Sequence, residues 1–333
     1  MMRLLESVAA LTAALVVSGI VVLLSGANPL TAFGALVDGA FGSLDSLSEL
    51  AVKTCPLLLT GLAITVAFRA GVWNIGAEGQ LALGGIAMAA TGARLGGVPW
   101  ALALPLCLLT GALAGAAWAA IAAALKVRRN VNEIISTIML NFIALGLISY
   151  LVQGPLMEAG GRYPQTDAID VAMWMPRLAP YRVHAGLLLG LLLAVGVGFL
   201  LFRTVIGFEM RAAGLNPTAS RLAGIDVNQR IVMALILSGA LAGIAGAVEV
   251  SAVTRRMYEH FSPGWGFTAI AVALLGRLHP AGVVAAALFF GALDAGSNAM
   301  QRAAGVSSVL ISVIQGTVVV FLVLLDRRHS MSR

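Results

Sequence analysis

The stretch RAGVWNIGAEGQLALGG, Arg69–Gly85, sets Asn74, Glu78 and Gln80 at the mouth of an apolar run. An unpaired polar group costs roughly 2–7 kcal/mol in an apolar interior, and an ionised carboxylate costs more. These side chains therefore need partners, water or a cavity. The chain around them decides what kind of interior it is. Of 333 residues, 59% are hydrophobic and 11% charged, and the mean hydropathy is +0.95. Those values do not fit a soluble domain; they indicate an all-α, polytopic membrane protein. The formal charge of +6 would suit a nucleic-acid partner. However, the basic residues come in ones, twos and threes between apolar runs, with no long basic patch and no aromatic-rich stacking surface, so none is expected. Cys55 and Cys107 lie in apolar segments without a Cys/His cluster, so neither a disulfide framework nor a metal site is expected.

At about 20 apolar residues per span, ten transmembrane segments are expected, near 8–25, 50–69, 77–94, 99–125, 132–153, 184–203, 230–250, 264–277, 281–299 and 305–325. The N-terminus has the basic start of a signal peptide. Its run Val8–Leu24 is long enough to span, and no small-x-small cleavage site precedes a soluble domain, so it reads as the first membrane helix. With the N-terminus inside, Arg3, Arg69, Lys126, Arg128, Arg129, Arg203, Arg211, Arg221, Arg230, Arg277, Arg327, Arg328 and Arg333 face the cytoplasm, most of the 21 Lys and Arg. This asymmetry places both termini in the cytoplasm. Residues 1–333 then form one transmembrane domain with an extracytoplasmic loop, 154–183, and a cytoplasmic loop, 204–229.

The outer loop is rich in Pro and Gly with mixed charge and Trp174, which suggests an ordered interfacial segment. The inner loop carries the signature of a short helix: Asn216 as N-cap, Pro217 at the first helical position and Gly224 just past the end. Ala219, Leu222 and Ala223 would form its apolar face, and a helix of about two turns does not persist alone in water, so a docking surface is implied. The bland alternative is a connector lying on its own membrane domain. Small residues four apart, Gly111 with Gly115 and Gly239 with Gly243 in two GALAG copies, let helices approach closely in lipid.

Other polar residues sit at membrane depth: Asn141, Gln315, and Asp294, Asn298 and Gln301 on one helical face. For each amide an ordinary interhelical hydrogen bond competes with a cavity role. Glu249, Arg255, Arg256 and Glu259 read as a surface ion-pair cluster on the outer rim. His184, His260, His279 and His329 fall near segment ends, where a solvated ring is the default. Asn74, Glu78, Gln80, Asn141, Asp294 and Asn298 are the candidates for a translocation cavity, with broken helices near it. Glu78 would lie in the first turn of a helix, where the dipole favours a carboxylate. No P-loop, GxSxG, HExxH or catalytic carboxylate pair occurs, so no catalytic residue is assigned. Transport driven by an ion through Asp294 or Glu78, and a non-transporting scaffold, remain alternatives.

Four segments carry a resemblance: FRAGVWNIGAEGQLALGG (68–85), VNEIISTIMLNFIA (131–144), RAAGLNPTASRLAGIDV (211–227) and GFTAIAVALLGRLHPAGVV (266–284). In order and spacing, over roughly residues 50–325, the chain resembles the permease subunits of ABC importers for nucleosides and simple sugars. These fall within a wider group that includes ribose and branched-chain amino-acid permeases. The resemblance implies a multi-pass protein of the bacterial cytoplasmic (inner) membrane. It implies three partners: a second, related permease, a cytoplasmic ABC ATPase and an extracytoplasmic binding protein, often a lipoprotein. ATP is then used by the partner, and this chain binds no cofactor. Arg211, Ala212, Gly214, Asn216, Pro217, Ala219, Arg221, Leu222 and Gly224 correspond to the family's coupling segment. The VWNIGAEGQ form is closest to nucleoside-type members, and Asp294 departs from the family pattern.

Overall fold

In the computed structural model of the chain, residues 16–178 and 180–307 are described, with isolated positions at 12, 313, 316 and 317. The helices are α1 (Val16–Leu24), α2 (Pro29–Phe41), α3 (Leu44–Arg69), α4 (Ala77–Gly92), α5 (Trp100–Arg129), α6 (Glu133–Gln153), α7 (Ala185–Arg203), α8 (Val205–Leu215), α9 (Pro217–Leu222), α10 (Val227–Glu249), α11 (Trp265–Leu275) and α12 (Pro280–Ala304). Among the described residues no strand forms; two isolated bridges are the extent of extended pairing.

Among the described residues six helices are long and apolar enough to cross a membrane: α3, α5, α6, α7, α10 with its π-helical continuation to Thr254, and α12. The pair α1 and α2, bent by 116°, would make a seventh. The protein is therefore polytopic and all-α. The expected segments 77–94 and 264–277 are the short helices α4 and α11, with 16 and 11 residues. At about 1.5 Å per residue they reach about 24 and 16 Å, short of a hydrocarbon core of about 30 Å. Most of segment 305–325, with Gln315, lies outside the described residues, as does the start of the first segment. Helix α2 was not expected, because 13 residues fall below any spanning criterion. Its local signal is Asn28-Pro29: the Asn28 side chain accepts from the Leu30 amide at 2.9 Å and Pro29 opens the helix.

The chain divides into two compact units, residues 1–54, 179–183 and 286–333, and residues 55–178 and 184–285. In the first, Val22, Ala32, Leu36, Leu293, Met300 and Val306 form one core cluster and Ala40, Leu50, Ala292 and Ala295 another. Helix α2 lies on α12 where Gly39 meets Gly296 and Ala299.

The second unit is organised by α4, α5 and α10. The two GALAG copies cross each other: Gly111 and Gly115 of α5 abut the backbone of Gly239 and Gly243 of α10, and Gly84 of α4 abuts Gly243. A side chain at these positions would meet backbone that cannot move aside. Helix α7 shows the complementary arrangement. Leu188, Leu192, Val195 and Phe199 are exposed along one stripe, while Gly186, Gly190, Ala194, Val197 and Leu201 are buried. The outward stripe is all large apolar residues, while glycine and alanine are found on the inward face with Val197 and Leu201, as expected where lipid is the solvent.

The loop up to Leu178 is ordered by backbone bonds to the π-helical turn and the irregular stretch after α10: Thr166 to Met257 at 2.8 Å, Ile169 to Arg255 at 2.9 Å and Met175 to Ser251 at 3.0 Å. Here two expectations change. The rim charges reach partners outside the expected cluster: Arg256 pairs with Glu158 at 3.2 Å, Glu259 accepts from Ser149 and Gln153, and Arg255 stacks over Trp174 at 4.3 Å. Glu249 is buried in the last turn of α10. His184 is not a solvated ring; it is buried under the loop, where desolvation and then Arg177 and Arg255 hold its pKa down to about 4. Both shifts follow from the π-turn and loop folding back over the helix ends, which local sequence does not display.

Substituting Gly243→Leu should cost about 3 kcal/mol or more, because the added side chain meets the α5 backbone at Gly111 and Gly115. Gly196→Leu, at a position with open space around it, should be tolerated. Yield and thermal unfolding in detergent will compare the two.

Candidate functional site

The opening stretch forms the break between α3 and α4. After Arg69 the chain turns at Gly71, whose φ of 73° lies in the left-handed region that glycine enters without cost. Residues 72–76 then run without helical bonding before α4 starts at Ala77. Breaking a helix leaves its first amides unpaired, and Gly76 at the N-cap has no side chain to help.

The missing partners come from elsewhere. Asn141 of α6 accepts from the Gly79 amide at 2.9 Å and donates to the Ile75 carbonyl at 2.9 Å. Thr137, one turn earlier, accepts from the Ile75 amide at 3.3 Å. Asn74 and Gln80 exchange two amide bonds at 2.9 and 3.0 Å, Asn74 also donates to Ser238 of α10 at 2.8 Å, and its oxygen accepts from the Gly76 amide at 3.0 Å. Glu78 accepts from the Gly266 amide at 2.7 Å and from Ser262. It thus lies in the first turn of α4 and at the start of α11, where two helix N-termini offer positive ends to one carboxylate. All four side chains are at most 4% exposed. They form one polar knot across α4, α6, α10 and α11.

Asp294 and Asn298 belong to the first unit. Asp294 has a partner that sequence did not supply, Lys53 of α3 at 3.5 Å, and the two side chains remain 36% and 29% exposed. Asn298 is exposed. Ser238, Thr137, Ser262, Gly266 and Lys53 were not singled out from the sequence; hydroxyls and glycines in apolar runs give no local sign of a partner many residues away.

Loop 204–229 has the capping read from its sequence. Asn216 accepts from the Ala219 amide at 3.0 Å, Pro217 opens α9 and Gly224 has a φ of 83°. Ala219, Leu222 and Ala223 are all exposed, Leu222 at 87%, while Ser220 is buried. The apolar face of α9 is thus uncovered by its own chain, so the helix does not lie face-down on its membrane domain. Arg211 is anchored by donating to the Leu201 carbonyl at 2.9 Å and lies over the Phe202 ring, as does Arg69. Ala212 accepts from the Asn216 amide at 3.0 Å. Gly214 packs against the backbone of Arg69–Gly71, with no room for a side chain. Among the described residues no cluster of His, Cys, Asp and Glu could hold a metal ion.

Residues 46–323 match the family described as the branched-chain amino acid transport system / permease component. The chain belongs to this permease family. It is 37% identical over 93% of its length to the glucose ABC transporter permease protein TsgB13 of Haloferax volcanii, covering 84% of that protein. It is 35% identical over 96% of its length to the guanosine ABC transporter permease protein NupP of Bacillus subtilis, covering 92%. It is 30% identical over 91% to the nucleoside ABC transporter permease protein NupB of Lactococcus lactis, covering 86%. No solved structure matches the chain. The permease is a multi-pass transport subunit of the ABC type rather than an enzyme, and such subunits work with an ATPase and a binding protein. The stand-alone transporter and scaffold readings fall with that membership.

The knot makes a stability prediction. Asn74→Leu strands Gln80, Ser238 and the Gly76 amide and should cost roughly 1–3 kcal/mol. The double variant Asn74→Leu/Gln80→Leu should cost less than the sum of the two single changes, because the partners leave together. Thermal unfolding of the purified permease measures both.

Proposed function

We propose that this permease forms the membrane path for a nucleoside, or a simple sugar, delivered by an extracytoplasmic binding protein or lipoprotein. In this reading a cytoplasmic ABC ATPase hydrolyses the ATP, this chain binds no cofactor, and a second, related permease completes the path. The chain is a multi-pass protein of a bacterial cytoplasmic membrane, with both termini and loop 204–229 inside and loop 154–183 outside. The distribution of Lys and Arg supports that orientation. The nucleoside and glucose permeases named above support the substrate class.

One observation carries the coupling assignment: the segment Arg211–Gly224 is exposed at its apolar tip and rigidly seated at its base. The tip offers Leu222, Ala219 and Ala223 to a partner. At the base, Gly214 touches Gly71 backbone to backbone, three residues before Asn74. Movement of α9 by a closing ATPase would pass through that contact to the α3–α4 break. Asn74, Glu78, Gln80 and Asn141 then hold the break in shape, and Asp294 and Asn298 face the path.

Gly224→Pro forces a φ of 83° toward about −65°, and Arg221→Glu reverses the charge on the exposed turn. Each should lower ATP-dependent nucleoside uptake about tenfold in proteoliposomes holding the whole complex, with normal assembly and continued ATP hydrolysis. Unchanged uptake in both would remove the coupling assignment. Uptake by the permease alone, without ATPase, would remove the importer reading.

A further inference from the structure

Two helices of the first unit carry polar side chains inward from the same end. On α3, Asp45, Glu49 and Lys53 recur every four residues; on α12, Gln301, Asn298 and Asp294 recur at spacings of three and four. Both series lie on single helical faces. They start exposed, at Asp45 and Gln301, and meet at the Lys53–Asp294 ion pair, 3.5 Å. Glu49 is paired on the way with Arg182 at 2.7 Å.

Depth decides what this face meets. Lys53 is nine residues from the start of α3 and Asp294 ten from the end of α12, about 14 and 15 Å along the axes. The helices have 26 and 25 residues, about 39 and 37 Å. Against a hydrocarbon core of about 30 Å, the pair lies about 10 Å inside it. Charges at that depth face a water-filled path or a partner, since lipid satisfies neither. Both side chains remain about a third exposed, so the pair is not sealed in its own unit. The track leading to it, Asn298 above Asp294 and Glu49 above Lys53, is polar without interruption to the helix ends.

We infer that Lys53 and Asp294 line the outer half of the translocation path and select its solute by hydrogen bonding. This rests on the permease reading and on the orientation that puts the start of α3 outside. The pair is net neutral, so it neither attracts nor repels by charge. It offers an ammonium donor and a carboxylate acceptor side by side, which suits an uncharged solute rich in hydroxyl and amide groups. The ribose diol or purine edge of a nucleoside fits that chemistry, as does a hexose. A solute with net charge would leave one partner opposed.

The test uses the assembled transporter in a Cys55→Ala/Cys107→Ala background, with single cysteines at Asp294, Lys53 and Leu288. Leu288 is exposed on another side of α12 and serves as the lipid-facing control. A membrane-impermeant sulfonated maleimide added from outside should label Asp294→Cys and Lys53→Cys at least about tenfold faster than Leu288→Cys, since thiols in lipid stay protonated and unreached. Labelling at the control rate overturns the inference. Asp294→Asn and Lys53→Gln should each lower guanosine uptake about tenfold, because a site that reads hydrogen bonds loses its solute when a partner is removed, with unchanged complex yield. The swapped variant Lys53→Asp/Asp294→Lys should remain impaired. Full recovery by the swap, or full uptake by both neutral variants, would show a pair that only holds the helices and would overturn the selecting role. If the unaltered complex shows no ATP-dependent uptake, the permease reading itself fails; if it transports and Asp294→Cys stays unlabelled, only this inference fails.

Discussion

The Glu78 carboxylate, held between the starts of two short helices, is the interaction on which the centre of the protein depends. In lipid each broken helix must find partners for its first amides within the protein. Helices α4 and α11 are both too short to cross, and both begin at this residue: α4 carries Glu78 in its first turn and α11 gives it the Gly266 amide. The carboxylate balances two positive helix ends, and the backbones there touch directly at Gly266. Asn141 then does for α4 what the glycine N-cap cannot. The arrangement turns four polar residues that would each be costly into a set that satisfies one another and the helix ends.

That arrangement requires close backbones around it. Glycines at 84, 111, 115, 239 and 243 bring α4, α5 and α10 within backbone contact, and Ser238, next to the second GALAG, reaches Asn74 from the same crossing. The close packing has a mechanical consequence. Where helices meet backbone to backbone, a displacement has few side-chain rotamers to dissipate into. The contact of Gly214 with Gly71 extends this rigidity to the exposed helix α9, so its exposed tip and the break are joined by main chain.

What the sequence made legible follows from the range of the interactions. The caps of α9 involve neighbours three residues apart, so Asn216, Pro217 and Gly224 announced it. The close-approach glycines were visible as a pattern, although not that one GALAG crosses the other. By contrast, Asn141 meets Gly79 across 62 residues and Glu78 meets Gly266 across 188. Such partners are glycine amides and hydroxyls inside apolar runs, which no periodicity marks. The same holds for Lys53, read as part of a span and found opposite Asp294, and for Glu249 and His184, buried by a loop whose course is tertiary. Helix α2 was missed for a different reason: an apolar helix of 13 residues that bends away from its neighbour satisfies no spanning rule.

The polar residues at membrane depth separate into two physical classes. Asn74, Glu78, Gln80 and Asn141 have bonds to side chains or amides of the protein and at most 4% exposure. A solute passing by could engage them only by displacing those bonds, which leaves a helix end unpaired and costs more than a new hydrogen bond returns. Their chemistry is committed to holding the break. Lys53 and Asp294 share one ion pair, keep a third of their surface open and have hydrogen-bonding capacity left over. A transport path that must bind weakly and release needs groups of this second kind, whose partners can be lent to a solute and recovered. On the proposed reading, discrimination between solutes falls to the half-open pair and its polar track, while the geometry of the break is held by the knot's internal bonds.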